Sequence, residues 1–510
     1  MIAAALCACA SLPPPQPNPV SHAITDVADT ALARIAQASR EGQAADLSGF
    51  RPLPEGAFAI EARIALARRA EKSLDVQYYQ IQQDRSGLLL LRELRDAARR
   101  GVRVRVIVDD LYAAGEDELL AGLAAHPNVE VRMFNPLPVR RGGVTTRIVF
   151  SLHEFGRINH RMHNKLFVAD HSFAIAGGRN IADEYFMRAD AANFVDMDLL
   201  ASGPVVAEFS AAFDAYWNCA HVVPIERIAK PAYEPEASRR RFDELVGEPP
   251  DVELRRRDVL QRLPVSQELA AGHVEQLFGP ARVVADPPDK ITRTSVDDRE
   301  EGTVIQAVLS LFASAHKKVL IVSPYFIPGE RGVAMMRKGA ELGGQTILLT
   351  NSLGATDEPL VYWKYARYRT AMLQAGVRIY ELSPTLVAKT YELGDFGASR
   401  GRLHAKMAEV DDRWLFVGSM NLDGRSARLN TEIGMIIDSE EIVTDVRRLR
   451  VHDDIKSAYR VRLRADGQGV EWVESDADGR ETVHLEEPDD TWTLRLKNWL
   501  LTPFVLEEML

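Results

Sequence analysis

Two histidines, His163 and His404, open the same pattern, H-x-K-x4-D-x9-N, which adds Lys165, Asp170 and Asn180 to the first and Lys406, Asp411 and Asn421 to the second. Each pair is 241 positions apart, so the two copies are one unit repeated in register. An imidazole can attack an electrophile or move a proton, an ammonium can hold an anion, and an amide can donate to its oxygens. That set fits a phosphodiester, which carries a negative charge and resists attack. Its cleavage calls for a nucleophile, a proton donor for the leaving alkoxide, and donors around the non-bridging oxygens. One copy supplies one imidazole. Two copies meeting across a pseudo-twofold axis supply one on each side of phosphorus, with Lys165, Lys406, Asn180 and Asn421 around the oxygens. The lysines then take the charge-stabilising part of a metal pair. No cofactor is expected, and the spacing does not offer three imidazoles or thiolates for zinc.

The elements that must position these groups repeat as well. The spacing predicts a strand running through His163, Lys165 and Ala169 and another through His404, Lys406 and Val410, with histidine and lysine on one face. Turns follow at Asp170-His171 and Asp411-Asp412, then second strands, then Gly177-Gly178-Arg179-Asn180 and Gly418-Ser419-Met420-Asn421. Upstream, Ser73–Tyr79 reads as a strand, Gly87–Arg100 as a helix closed by Gly101, and Val102–Val108 as a strand. The second half answers with Val319–Phe326, a helix from about Val333 to Leu342, Gly343-Gly344, and Thr346–Thr350. Strand and helix alternate in both halves, so an α/β fold with mixed sheets is expected.

The chain of 510 residues, 46% hydrophobic and 26% charged, can bury two domains. The division expected is residues 1–48 as a leader and tether, 49–224 and 302–445 as the duplicated domains, 225–301 as a linker, and 446–510 as an extension. The net charge of −11 lacks the broad basic surface of a sequence-independent nucleic-acid binder, so no nucleic-acid partner is expected. The three cysteines build no disulfide framework. Leu6-Cys7-Ala8-Cys9 looks like a bacterial lipobox that would acylate Cys9, followed by a proline-rich tether at residues 13–19. The apolar stretch before it is short for a secretory segment, and a frayed terminus is the alternative. The linker, dense in proline and charge, reads as solvated, although Arg239–Arg241 and Arg255–Arg257 could touch anionic headgroups. Trp492–Leu506 could lie in a membrane interface or pack on the domain.

The paired motifs, with Asn159-His-Arg-Met-His-Asn-Lys165 and Gly177-Gly-Arg-Asn-Ile-Ala-Asp-Glu-Tyr-Phe186, resemble the phospholipase D superfamily, and most of all bacterial type C cardiolipin synthases and related lipoproteins. The resemblance implies two αβαβα-sandwich domains related by a pseudo-twofold axis and a phosphatidyl-histidine intermediate. It implies His163 as nucleophile and His404 as acid and base, with Lys165 and Lys406 beside them. Asp170 and Asp411 belong to the motif and are expected to hold strand ends. A downstream carboxylate is expected to orient each imidazole: Glu432, and as its counterpart Asp196, one carbon shorter and at an offset of 236. The implied activity is membrane-associated phosphatidyl transfer to phosphatidylglycerol, making cardiolipin in the bacterial cell envelope, with phosphatidylethanolamine a candidate donor. A phospholipase D that hydrolyses to phosphatidic acid and, less favoured, a nuclease remain open on the motifs alone.

Overall fold

In the computed structural model, described over residues 12, 14, 16–140, 142–229, 233–247, 254–293, 301–387, 399–449, 456–467, 469–475 and 479–488, the repeat becomes two mixed sheets. The first is centred on β1 (Ser73–Tyr78), β2 (Arg103–Asp109), β3 (Val129–Phe134), β4 (Lys165–Ala169), β5 (Phe173–Gly177) and β6 (Asp198–Ser202). Their spatial order is β6-β5-β4-β1-β2-β3. The second sheet repeats it with β7 (Lys318–Val322), β8 (Gln345–Asn351), β9 (Arg378–Leu382), β10 (Met407–Val410), β11 (Trp414–Gly418) and β12 (Ile433–Asp438). The order is again β12-β11-β10-β7-β8-β9.

In each half the first three strands run parallel, and the motif strands join them antiparallel. Parallel neighbours require crossovers, and helices Arg85–Arg99 and Gly329–Glu341 supply two of them. Asp84 caps the first by accepting from the Gly87 amide, and left-handed glycines, Gly101 and Gly343, follow the two helices. The second helix begins four residues before the expected Val333.

Strand alternation sorts the apolar residues into three cores. Phe167, Phe173 and Ile175 pack under the helices of the first half, and Ala408, Phe416 and Ile436 under those of the second. Leu166, Val168, Ala174 and Leu199 point the other way and meet Met407, Leu415, Val417, Ile433 and Met435 in one shared cluster. The two sheets are thus buried on both faces, and the inner face of each is the other's core.

Two stretches of the segment expected to be a solvated linker with short helices join the sheets. Leu277–Gly279 pairs with Ser48–Leu53 at the edge of the first sheet, and Ala281–Ala285 pairs with β12 of the second. Its apolar pairs Leu277-Phe278 and Val283-Val284 find sheet edges, and Pro280 separates them where the chain passes between sheets. Helix Pro235–Val246, which carries Arg239–Arg241, buries Phe242 in the first core. Beyond residue 445, the strands Ala458–Leu463, Val470–Ser475 and Glu481–His484 continue the second sheet from β9. Cys9 and Trp492–Leu506 lie outside the described residues.

The motif aspartates sit at the far ends of β4 and β10, in turns whose residues 170, 171, 411 and 412 all have positive φ, from 46° to 62°. Asp170 accepts from the amides of Glu71, Lys72 and Ser73 at 2.8–2.9 Å, and Asp411 from those of His316, Lys317 and Lys318 at 2.7–2.9 Å. Each carboxylate ties the motif hairpin to the start of the first strand of its own half. Charge-assisted bonds of this kind contribute about 1.5–3 kcal/mol each when buried. Asp170 is fully buried and Asp411 is not. Asp170→Ala is therefore expected to lower the urea midpoint of unfolding clearly more than Asp411→Ala, and equal effects would contradict the clamp.

Candidate active site

The strands end short of the histidines, which corrects the expectation that each histidine and lysine share one strand. β4 starts at Lys165, β10 starts at Met407, and the residues before them pair with the opposite half. The His163 amide donates to the Thr431 carbonyl (2.8 Å), and the Thr431 amide donates to the Arg161 carbonyl (2.9 Å). On the other side of the axis, Arg400–Leu403 runs parallel to Ala192–Val195, and the His404 amide donates to the Val195 carbonyl (2.7 Å). Each histidine is thus presented by a lead-in that takes its hydrogen bonds from the other repeat.

The side chains cross in the same way. His163 Nδ1 lies 3.0 and 2.9 Å from the two carboxylate oxygens of Glu432, and His404 Nδ1 lies 2.7 Å from Asp196 Oδ2. At His163 the carboxylate on Nδ1 fixes the tautomer with hydrogen there and leaves the Nε2 lone pair for chemistry, whereas His404 Nδ1 also has Lys406 Nζ at 2.9 Å. Glu432 also accepts from the Ser419 hydroxyl. The repeat equivalent of Ser419 is Gly178, where a Cβ would come within 2.0 Å of an Asp196 oxygen. The shorter carboxylate of Asp196 fits because that position has no side chain.

Several supporting groups were not singled out by the sequence. Asp109 and Asn351, at the ends of β2 and β8, hold the residue before each histidine: Asp109 accepts from the Met162 amide (2.8 Å), and Asn351 exchanges two bonds with the Leu403 backbone (2.8 and 2.9 Å). Their different types hide the correspondence from a repeat search by identity. Arg179 donates to the carbonyls of Leu53, Pro54, Tyr185 and Asp196, fixing the turn that carries Asp196. Asp286, from the segment expected to be linker, accepts from the Glu432 amide (2.9 Å) and from Lys290 Nζ (2.6 Å).

Lys165 and Lys406 are buried, and each donates to the carbonyl of its own motif histidine. Asn180 Nδ2 donates to the Tyr185 hydroxyl (3.0 Å), while Oδ1 of Asn180 and of Asn421 is buried without a partner among the described residues. Rings close the sides: Tyr79 stands edge-on to His163, and Tyr185 to His404, both at 5.0 Å.

Burial governs the charges. It drives His163 down to about 4, with Lys165 and Lys406 acting in the same sense against Glu432. It lowers His404 too, helped by Lys406 against Asp196. Burial works to raise Asp196, but His404, Lys406 and Arg179 hold it down to about 2; Glu432 is likewise held below its usual range by His163, Lys165 and the Ser419 hydroxyl. Burial brings Lys165 down to about 7 and Lys406 down to about 8. The empty site therefore holds neutral imidazoles on ionised carboxylates, beside two lysines that part with their proton near neutral pH and that an entering anion would keep charged. Among the described residues no group of three His, Cys, Asp or Glu side chains could hold a metal ion.

The family described as cardiolipin synthase, PLD-like domain, matches residues 64–217 and 308–450, which carry the two motifs. The chain is 34% identical over 452 residues to cardiolipin synthase C of Escherichia coli, covering 88% of this chain and 93% of that protein. This chain belongs to the cardiolipin synthase-like branch of the phospholipase D superfamily. It is 24% identical over 435 residues to cardiolipin synthase 1 of Bacillus anthracis, covering 85% of this chain and 72% of that one. The fold is similar to the crystal structure of phosphatidylserine synthase from Haemophilus influenzae, with a TM-score of 0.56 at 14% identity, over 94% of this chain and all of that one. With that identity over most of both chains, the protein is a phospholipase D-type phosphatidyltransferase.

For such an enzyme the crosswise carboxylates should matter to kcat more than to KM. Glu432→Gln and Asp196→Asn are each expected to lower kcat by about a hundredfold or more. KM should change little, and unaltered kcat in either variant would contradict the pairing. Because the lysines lose charge as pH rises through about 7 to 8, kcat/KM for a soluble chromogenic diester should fall above that range. A profile flat to pH 10 would count against cationic lysines as the anion's partners.

Proposed function

We propose that this protein is a membrane-associated phosphatidyltransferase that makes cardiolipin from phosphatidylglycerol and a second phospholipid. The observation that carries the chemistry is the pair of imidazoles, each held at Nδ1 by a carboxylate of the opposite half, with no partner at Nε2 among the described residues. His163 Nε2 attacks phosphorus of the donor lipid, the P–O bond to the headgroup alcohol breaks, and His404, which enters the step as an imidazolium protonated at Nε2 beside Asp196 and the bound anion, gives that alkoxide its proton and becomes neutral. The phosphatidyl group now rests on His163 through a P–N bond. His404 then takes the proton from the free primary hydroxyl of phosphatidylglycerol, whose oxygen attacks phosphorus and releases His163. Lys165 and Lys406 hold the non-bridging oxygens, with Asn180 and Asn421 donating beside them. Asn180 can do so by a half-turn of its amide that lets the Tyr185 hydroxyl donate to Oδ1. Asp170 and Asp411, engaged at the far strand ends, hold the hairpins.

Transfer rather than hydrolysis is supported by the relatives named as cardiolipin synthases. The burial of both imidazoles beside the rings of Tyr79 and Tyr185 also favours it, since retaining the phosphatidyl-enzyme requires that water be kept out. The lipobox-like start supports attachment to the bacterial cell envelope through an acylated Cys9.

The test is to supply phosphatidylglycerol vesicles, with and without phosphatidylethanolamine, and to separate the products. Cardiolipin with release of glycerol identifies phosphatidylglycerol as donor, and release of ethanolamine identifies phosphatidylethanolamine. Phosphatidic acid alone, or no turnover, overturns the reading. His163→Ala and His404→Ala should each lower turnover by at least about a thousandfold. A phosphoenzyme that survives base and is lost in acid, as a P–N bond requires, should be trapped in His404→Ala and not in His163→Ala, and the reverse result would exchange their roles.

A further inference from the structure

Most exposed large hydrophobic side chains of the described residues are scattered, as is ordinary for a protein surface. Four fall within seven positions: Val149, Phe150, Leu152 and Phe155, exposed to 53%, 59%, 52% and 40%. They stand on the short helices Val144–Phe150 and Phe155–Ile158 and on the 3-10 turn Leu152–Glu154 between them, in the stretch that joins β3 to His163. We propose that this helical hairpin seats in the surface of a phospholipid bilayer and sets the mouth of the active site against the lipid. The inference rests on the phosphatidyltransferase reading above, in which both substrates lie in a bilayer.

The hairpin's base is polar and buried, and its outer surface carries the four apolar side chains together with Thr145, Thr146 and His153. Arg147 is buried, donating to Asp117 (3.3 Å) and to the Arg140 carbonyl (3.0 Å), and Arg140 pairs with Asp110 and Asp117. At the other end Asn135 donates to the carbonyls of Arg157 (3.0 Å) and His160 (2.7 Å). The apolar face is therefore presented on a fixed base. A cluster of this kind marks an interaction surface, whereas single exposed residues do not.

Continuity with the site points to a bilayer as its occupant. Asp110 and Asp117 flank Tyr112, which is 41% exposed. Tyr112 stands edge-on to Tyr79 at 5.3 Å, and Tyr79 stands edge-on to His163 at 5.0 Å. A line of rings thus runs from the surface beside the hairpin to the imidazole, an amphipathic type suited to a lipid–water boundary. Net charge of −11 gives no general attraction to an anionic bilayer, so apolar insertion must do the work. Among the described residues no helix is long and apolar enough to cross a membrane.

The experiment uses the full chain carrying Cys9→Ser, so that no acyl anchor contributes, with and without Phe150→Ser/Phe155→Ser. Co-sedimentation with mixed phosphatidylglycerol and phosphatidylcholine vesicles should weaken by roughly tenfold per phenylalanine removed. Turnover of vesicle lipid should fall with it. Turnover of a short-chain phosphatidylglycerol below its micellar concentration should stay within about twofold, and Phe150→Leu/Phe155→Leu should retain vesicle binding. Absence of vesicle binding by the parent, or equal binding by the serine variant, would overturn the proposal. So would loss of self-association with vesicle binding intact, which would make the face a protein contact. If the parent turns over no short-chain lipid, the phosphatidyltransferase reading fails, and vesicle binding still decides this one.

Discussion

Each motif imidazole is held by a carboxylate from the other repeat, and the rest of the molecule can be read as the means of keeping those two contacts in place. A hydrogen bond of 2.7–3.0 Å between His163 and Glu432, or between His404 and Asp196, fails if one half shifts by an ångström against the other. The shared apolar cluster between the inner sheet faces resists that shift, since close-packed interiors deform little. The crossed backbone bonds of His163 with Thr431 and His404 with Val195 resist it at the site itself. The connection between the halves contributes too, because its Asp286 fixes the backbone of Glu432.

The same burial that fixes the geometry sets the chemistry. Ionised carboxylates, neutral imidazoles and two easily discharged lysines share a volume from which water is largely removed, and interactions there are stronger than in solvent. Such a cluster is costly to bury, and the cost falls on the empty enzyme. A bound phosphodiester anion relieves it by restoring the lysines to full charge. The site is therefore matched to an anion at the position where the two halves face one another, and neither half alone has that position.

Much of this was legible in the sequence because duplication leaves two witnesses. His163 and His404, with their lysines, aspartates and asparagines, declare themselves through one constant offset, and the α/β alternation around them gives the mixed sheets. Glu432 and Asp196 were found as a pair through family resemblance despite the slipped offset. Which histidine each would meet was not legible, because contacts across 269 and 208 residues leave no local periodicity. The strands were drawn back to the histidines for the same reason: the lead-in residues pair with the opposite half. Asp109 and Asn351 do the same work with different side chains, so identity could not align them. The stretch around Pro280 looked like linker because its strands are short and only partly buried, and their partners are remote in sequence.

The most direct test of crosswise support is to follow the imidazole nitrogen-15 resonances of His163 and His404 in the folded protein and two variants. His163 should be the Nδ1–H tautomer, with Glu432→Gln moving the His163 signals and Asp196→Asn those of His404. Perturbation confined instead to the histidine of the mutated half would contradict it.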